Sequence, residues 1–162
     1  MTYLLDANVF IQAKNLHYGF DFWPAFWQWL EQAHDDGRVF SIERVEDEIA
    51  GGADDLAEWV AHRPAGFFLS PDAAVVPSLH AVSEWANGGG YEPAALATFL
   101  QITDFYLIAH AHAHGHIVVT HEVASHSTKR IKIPDACIAL GVRHMTPYEM
   151  LRVERARFVL AP

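Results

Sequence analysis

Tyr3-Leu4-Leu5-Asp6-Ala7-Asn8-Val9-Phe10-Ile11 is the stretch from which the rest of the chain is read. Thr2 to Leu5 combines β-branched, aromatic and aliphatic residues, the composition of a short buried strand, and the turn-forming Asp6-Ala7-Asn8 closes it. An acid directly after such a strand emerges at the carboxyl edge of its sheet. The fold and the chemistry therefore turn on which other segments reach that edge.

Working outward, Pro24 sits where a first helical turn tolerates proline, and Phe26, Trp27, Trp29, Leu30 and Ala33 follow at helical spacing until Asp35-Asp36-Gly37. Arg38 to Ile42 predicts a second strand, and Ser41 a cap for the helix after it. Val45, Ile49, Leu56, Trp59 and Val60 give apolar stripes broken at Gly51-Gly52. Phe67 to Leu69 reads as a short strand or a buried turn. Pro71 to Trp85 reads as helical, kinked or split at Pro77. Gly88-Gly89-Gly90 is a loop, Pro93 to Leu100 a short helix, and Thr103 the expected cap of a helix running to His114, with Gly115 as its stop. Ile117 to Thr120 is the strongest strand signal. Pro134 to Leu140 predicts a helix, with a strand near Val142 and a last helix from Pro147. Alternating strands and helices of these lengths predict an α/β fold, a mostly parallel sheet with helices on both faces, in one domain spanning 1–162.

The composition agrees. A chain of 162 residues, 51% apolar and 12% aromatic, builds one well-filled core without staples. Cys137 stands alone, which excludes an intrachain disulfide and suits a cytoplasmic setting. No basic leader precedes the first apolar run, and no apolar stretch approaches the roughly 20 residues of a membrane span, so no membrane partner is expected. The net charge of −9 argues against nucleic acid at first sight. Its distribution weakens that objection, because Lys129 to Arg157 holds seven basic against three acidic residues.

In open parallel sheets the active site lies beyond the carboxyl ends of the strands. Asp6 follows the first strand, Glu122 follows Ile117 to Thr120, Asp104 opens a helix, and Glu48 lies on the helix after the second strand. Four acids from four segments thus converge on one crevice. Clustered carboxylates raise one another's pKa unless a cation neutralises them, and an all-oxygen site suits Mg²⁺ or Mn²⁺. Such an ion supports phosphodiester hydrolysis. Each acid also has a plain structural reading: Asp6 a loop residue or cap, Asp104 an acid favoured at a helix start, Glu122 a turn acid, Glu48 part of a solvated face with Glu43, Glu46 and Asp47.

Those positions carry a family resemblance. Tyr3 to Ile11 resembles the opening of PIN domains, Val45-Glu46-Asp47-Glu48-Ile49 their second acidic station, and Thr103-Asp104-Phe105-Tyr106-Leu107-Ile108-Ala109 with Ile117-Val118-Val119-Thr120-His121-Glu122 their third and fourth. The resemblance implies a PIN-like three-layer α/β/α fold, a Mg²⁺ or Mn²⁺ site on Asp6, Glu48, Asp104 and Glu122, and cleavage of RNA in the cytoplasm. It also implies a VapC-like toxin with a cognate antitoxin, or a related subfamily of undescribed function, and a homodimer. Asn8 is the expected support of Asp6, while Thr120, His121, Lys129 and Arg130 are further support or substrate candidates. Glu122 departs from the usual Asp. The aromatic insert Phe20 to Trp29 and the segment Lys132 to Cys137 are unlike the commonest toxins. Glu43 and Glu46 are register alternatives to Glu48, and Asp135 is an extra ligand or, more simply, a cap after Pro134.

Other features stay open. His110, His112, His114 and His116 read as an exposed helix end, with His110 sharing a face with His114 and His112 with His116; zinc would need a third ligand. The aromatics from Phe20 to Trp29 are too dense to be all core and suggest a dimer or partner surface. Two other functions carry forward: a catalytically silent PIN-like interaction module and a DNA-directed nuclease.

Overall fold

The computed structural model describes residues 1–161. The first strand, β1 (Tyr3–Leu5), is wholly buried and runs into α1 (Ala7–Gln12), which loosens into a π-helical turn over Ala13–His17. There follow α2 (Pro24–Asp35), β2 (Val39–Ile42), α3 (Glu43–Ala50), α4 (Asp55–Ala61), β3 (Phe68–Leu69) and α5 (Val75–Gly88). The chain continues through α6 (Pro93–Phe99), α7 (Thr103–His114), β4 (Ile117–Val119), α8 (Ile133–Leu140), β5 (His144–Met145) and α9 (Pro147–Val153). The strands form one parallel sheet in the order β3-β2-β1-β4-β5, the centre of a three-layer α/β fold. No single helix among the described residues is long and apolar enough to cross a membrane.

The order explains the composition of the central strands. β1 lies between β2 and β4, with Tyr3 opposite Val39 on one side and Ile117 on the other, so each of its residues is covered on every side. That is why Tyr3-Leu4-Leu5 and Ile117-Val118-Val119 are continuously apolar rather than alternating. The chain builds outward from β1 through β2 to β3, then returns to β4 on the opposite flank. The strand order therefore reverses between β1 and β4, and the carboxyl ends of these two strands mark the place where open parallel sheets form their ligand crevice.

Several local expectations are corrected. Ser41 does not cap α3: it is a buried β2 residue whose hydroxyl donates to the Leu5 carbonyl at 2.6 Å, tying β2 to the end of β1. Thr103 is the first residue of α7, and the extended residue before it is Ile102. Pro77 neither kinks nor splits a helix, because α5 begins at Val75 and Pro77 lies in its first turn, where an amide has no intrahelical partner. The last strand lies at His144–Met145, slightly beyond Val142.

Candidate active site

Asp6 leaves β1 with its amide donating to the Val119 carbonyl at 2.9 Å, so it is level with Thr120 at the end of β4. It occupies the cap position of α1, yet its side chain makes no capping bond. Its Oδ2 instead accepts from the Thr120 hydroxyl at 2.9 Å. Only 4% of Asp6 is exposed. Burial pushes its pKa up to about 8, with the Asp104 carboxylate adding to the rise and the Thr120 bond opposing it.

Asp104 is the second residue of α7 and is half-buried. Burial again comes first in raising its pKa, to about 6, followed by repulsion from Glu122 and then Glu48, while Arg130 and Lys132 pull it down. Asp104 makes no hydrogen bond or ion pair among the described residues. Glu122 is placed differently. Its Oε2 accepts from the Ile133 amide at the start of α8 at 2.8 Å, and its Oε1 from Arg130 at 3.2 Å. Glu48 is exposed on α3 and reaches the group only through its charge on Asp104. Of the neighbouring register alternatives, Glu43 accepts from Ser70 at 2.8 Å and is thereby held at the end of β3. Glu46 has no partner among the described residues.

Thr120 is the hub that joins these groups. Its Oγ1 donates to Asp6, and accepts from the Asn8 side chain at 3.3 Å and from the Glu122 amide at 3.1 Å. Asn8 therefore supports Asp6 through Thr120 rather than directly, and its Oδ1 holds the His121 amide at 3.2 Å. Asp135 does not cap α8; it accepts from the Ser125 amide at 3.0 and 3.3 Å and pins the loop after β4. Lys129 is exposed on that loop, beside Arg130.

Sequence reasoning missed two neighbours of this crevice. The Tyr148 hydroxyl lies 2.9 Å from His17 Nε2, and the His121 ring has its centroid 5.4 Å from His17 and 5.7 Å from Tyr148. His17 belongs to the π-helical turn and Tyr148 to α9, two segments without any periodic signal linking them to β4. Lys132, whose charge acts on Asp104, was legible as part of the basic run Lys129-Arg130-Ile131-Lys132.

The donor set suits a hard divalent cation. Asp6 and Asp104 are buried or half-buried carboxylates whose pKa values are raised first by burial and then by neighbouring carboxylates, and among the described residues no basic side chain lies against Asp6, so an ion would offset the repulsion. Among the described residues, no three His, Cys, Asp or Glu side chains are already closed around one point.

The fold and this crevice define a three-layer α/β protein with an acidic group at the sheet's topological reversal. The chain belongs to the family described as a domain of unknown function, DUF4411, whose profile matches residues 3–158. That match runs from β1 through the tail beyond α9 and so contains every residue of the crevice. A search of the curated proteins gave no match.

Proposed function

We propose that this chain is a PIN-like ribonuclease that uses Mg²⁺ or Mn²⁺, held by Asp6 and Asp104 with Glu122 and Glu48 contributing, to hydrolyse RNA phosphodiester bonds. One observation carries the reading: Asp6, only 4% exposed, is close enough to Asp104 for that carboxylate to add to its raised pKa, and among the described residues Asp104 has no hydrogen bond or ion pair and Asp6 no basic neighbour. When bound, the ion would hold the phosphodiester, lower the pKa of an attacking water and stabilise the leaving oxygen.

The chain's own residues supply the rest. Thr120 fixes Asp6 Oδ2 in place and so sets the orientation of the carboxylate. Asn8 locks both Thr120 and the amide of His121, holding the β4 exit in one conformation. Arg130 pairs with Glu122 and, with Lys132, provides positive charge beside the acids for a phosphate backbone, while Lys129 adds to it from the exposed loop. A toxin role with a cognate antitoxin, and a homodimer, extend the same reading.

The test is RNA cleavage with and without Mn²⁺, together with thermal unfolding at each condition. Wild-type chain is expected to cut RNA only with the ion and to unfold at a higher temperature in its presence. Asp6→Asn is expected to keep the fold and lose both responses. Full cleavage by Asp6→Asn would overturn the mechanism. A second reading, a catalytically silent interaction module, is favoured by Glu122, both of whose oxygens are engaged by α8 and Arg130; it requires that neither RNA cleavage nor Mn²⁺ stabilisation occur.

A further inference from the structure

At the opposite edge of the sheet lies a second group of chemistry-bearing side chains, independent of the acidic crevice. His110 and His114 are one turn apart on α7, and Gly115, in the left-handed conformation, ends the helix and returns the chain toward it. His116 folds back onto their side, and its amide donates to the Ala111 carbonyl at 3.1 Å. The expected pairing of His112 with His116 is thereby corrected: His112 turns to Ser78 of α5, 2.7 Å away. The expected exposed helix end holds for His112 and His114 but not for His110, which is only 4% exposed.

We propose that His110, His114 and His116 form a three-imidazole site for a borderline divalent cation of the zinc class, with Asp72 positioning His114. Ring spacing is the first support. Three imidazoles bound at about 2.0–2.1 Å to one tetrahedral ion have ring centroids roughly 5 Å apart. The three centroids here are separated by 4.9, 5.6 and 5.6 Å. The rings lie nearly face to face, at 22° to 38°, so ring rotation is needed to aim three nitrogens at one point.

Two further observations point to a ligand. His116 Nδ1 is buried and has no hydrogen-bond partner among the described residues, an unsatisfied donor or acceptor of the kind a native structure fills. His114 Nε2 is 2.9 Å from the Asp72 carboxylate, which leaves Nδ1 of the same ring for a metal. A carboxylate on the distal nitrogen is the usual support of a metal-binding histidine. The three rings and Asp72 line a cleft of about 390 Å³, bordered by Thr2, Gly37 and Ser70, which leaves room for a water as fourth ligand. The ion would clip the end of α7, the entry to β4 and the loop before α5 to one another.

The experiment uses full-length chain stripped of metal by a chelator and titrated with Co²⁺, whose visible absorption reports tetrahedral coordination, and then with Zn²⁺ as competitor. Expected are one tetrahedral Co²⁺ per chain, displaced by Zn²⁺, and loss of the band in His114→Ala. Asp72→Asn should weaken binding about 10–100-fold. Both positions are exposed, so these variants keep the fold. His112→Ala and Asp104→Asn should leave the band unchanged, which separates this site from the acidic crevice. Absence of a tetrahedral band, its persistence in His114→Ala, or its loss in His112→Ala or Asp104→Asn would overturn the proposal.

Discussion

Asp6 shows how much one residue's surroundings alter its chemistry. A free aspartate is ionised at neutral pH; in the folded chain, burial and Asp104 push its pKa up to about 8, and Asp104 itself rises to about 6. Both folded values lie above the unfolded ones, so the folded chain binds more protons than the unfolded chain between them. Stability from these groups is then complete below the free aspartate value and lost as pH rises through the folded values, at about 1.4 kcal/mol per differential proton per pH unit. The metal-free chain should accordingly lose melting temperature from about pH 4 to about pH 8. Asp6→Asn should flatten that slope, and Mn²⁺ should restore most of the loss at the alkaline end. A melting temperature independent of pH in the metal-free wild type would contradict the burial argument.

At the level of elements, the crevice depends on how loops and helix ends are tied down. Glu122 anchors the start of α8, Asp135 pins Ser125, and the loop between β4 and α8 is thereby held in place. α9 brings Tyr148 to His17 and buries Met150 and Leu151. Its N-terminus carries a reciprocal pair of bonds: the Thr146 hydroxyl accepts from the Glu149 amide, and the Glu149 carboxylate from the Thr146 amide. Thr146→Ala removes one of them and is expected to cost about 1 kcal/mol. Urea unfolding measures this directly, with an unchanged midpoint as the contrary result. A weaker α9 should also release Tyr148 from His17, visible as increased amide exchange in that helix.

Over the whole molecule, the dense aromatic insert is mostly turned inward. Tyr18 stacks on Phe26 at 4.2 Å and Phe20 on Trp27 at 4.1 Å, while Trp27 meets Trp59 edge-on at 5.0 Å. Phe158, from the segment after α9, closes over Tyr18, Trp23 and Phe26, so distant parts of the chain meet in one cluster. Only Phe22 and Trp23 of the insert remain as exposed large rings, which reduces the partner surface expected from the sequence. Phe158→Ala should therefore destabilise the protein by about 1–3 kcal/mol, through lost apolar burial and ring contacts. A chemical denaturation midpoint within error of wild type would show that the tail does not close the cluster.

Local composition was enough to determine much of this. Continuous apolar runs of β-branched, aromatic and aliphatic residues at Tyr3–Leu5 and Ile117–Val119 read as strands buried on both faces, and acids soon after a buried strand leave at its end, so the positions of Asp6 and Glu122 at the carboxyl edge were legible. Asp104 was legible because it opens a helix with strong boundaries. Cap assignments were less secure: Ser41 and Thr103 have the right side chains, but strand extension and tertiary bonding claimed Ser41, and the helix simply began at Thr103. What only the tertiary structure decided are relations between segments far apart in the chain. Thr120 as the link between Asp6, Asn8 and Glu122, the approach of His17 and Tyr148 to His121, and the return of His116 onto His110 and His114 depend on sheet order and backbone turns. Residue spacing reports a neighbour within one helix or strand; it holds no record of which separate element will be packed beside it.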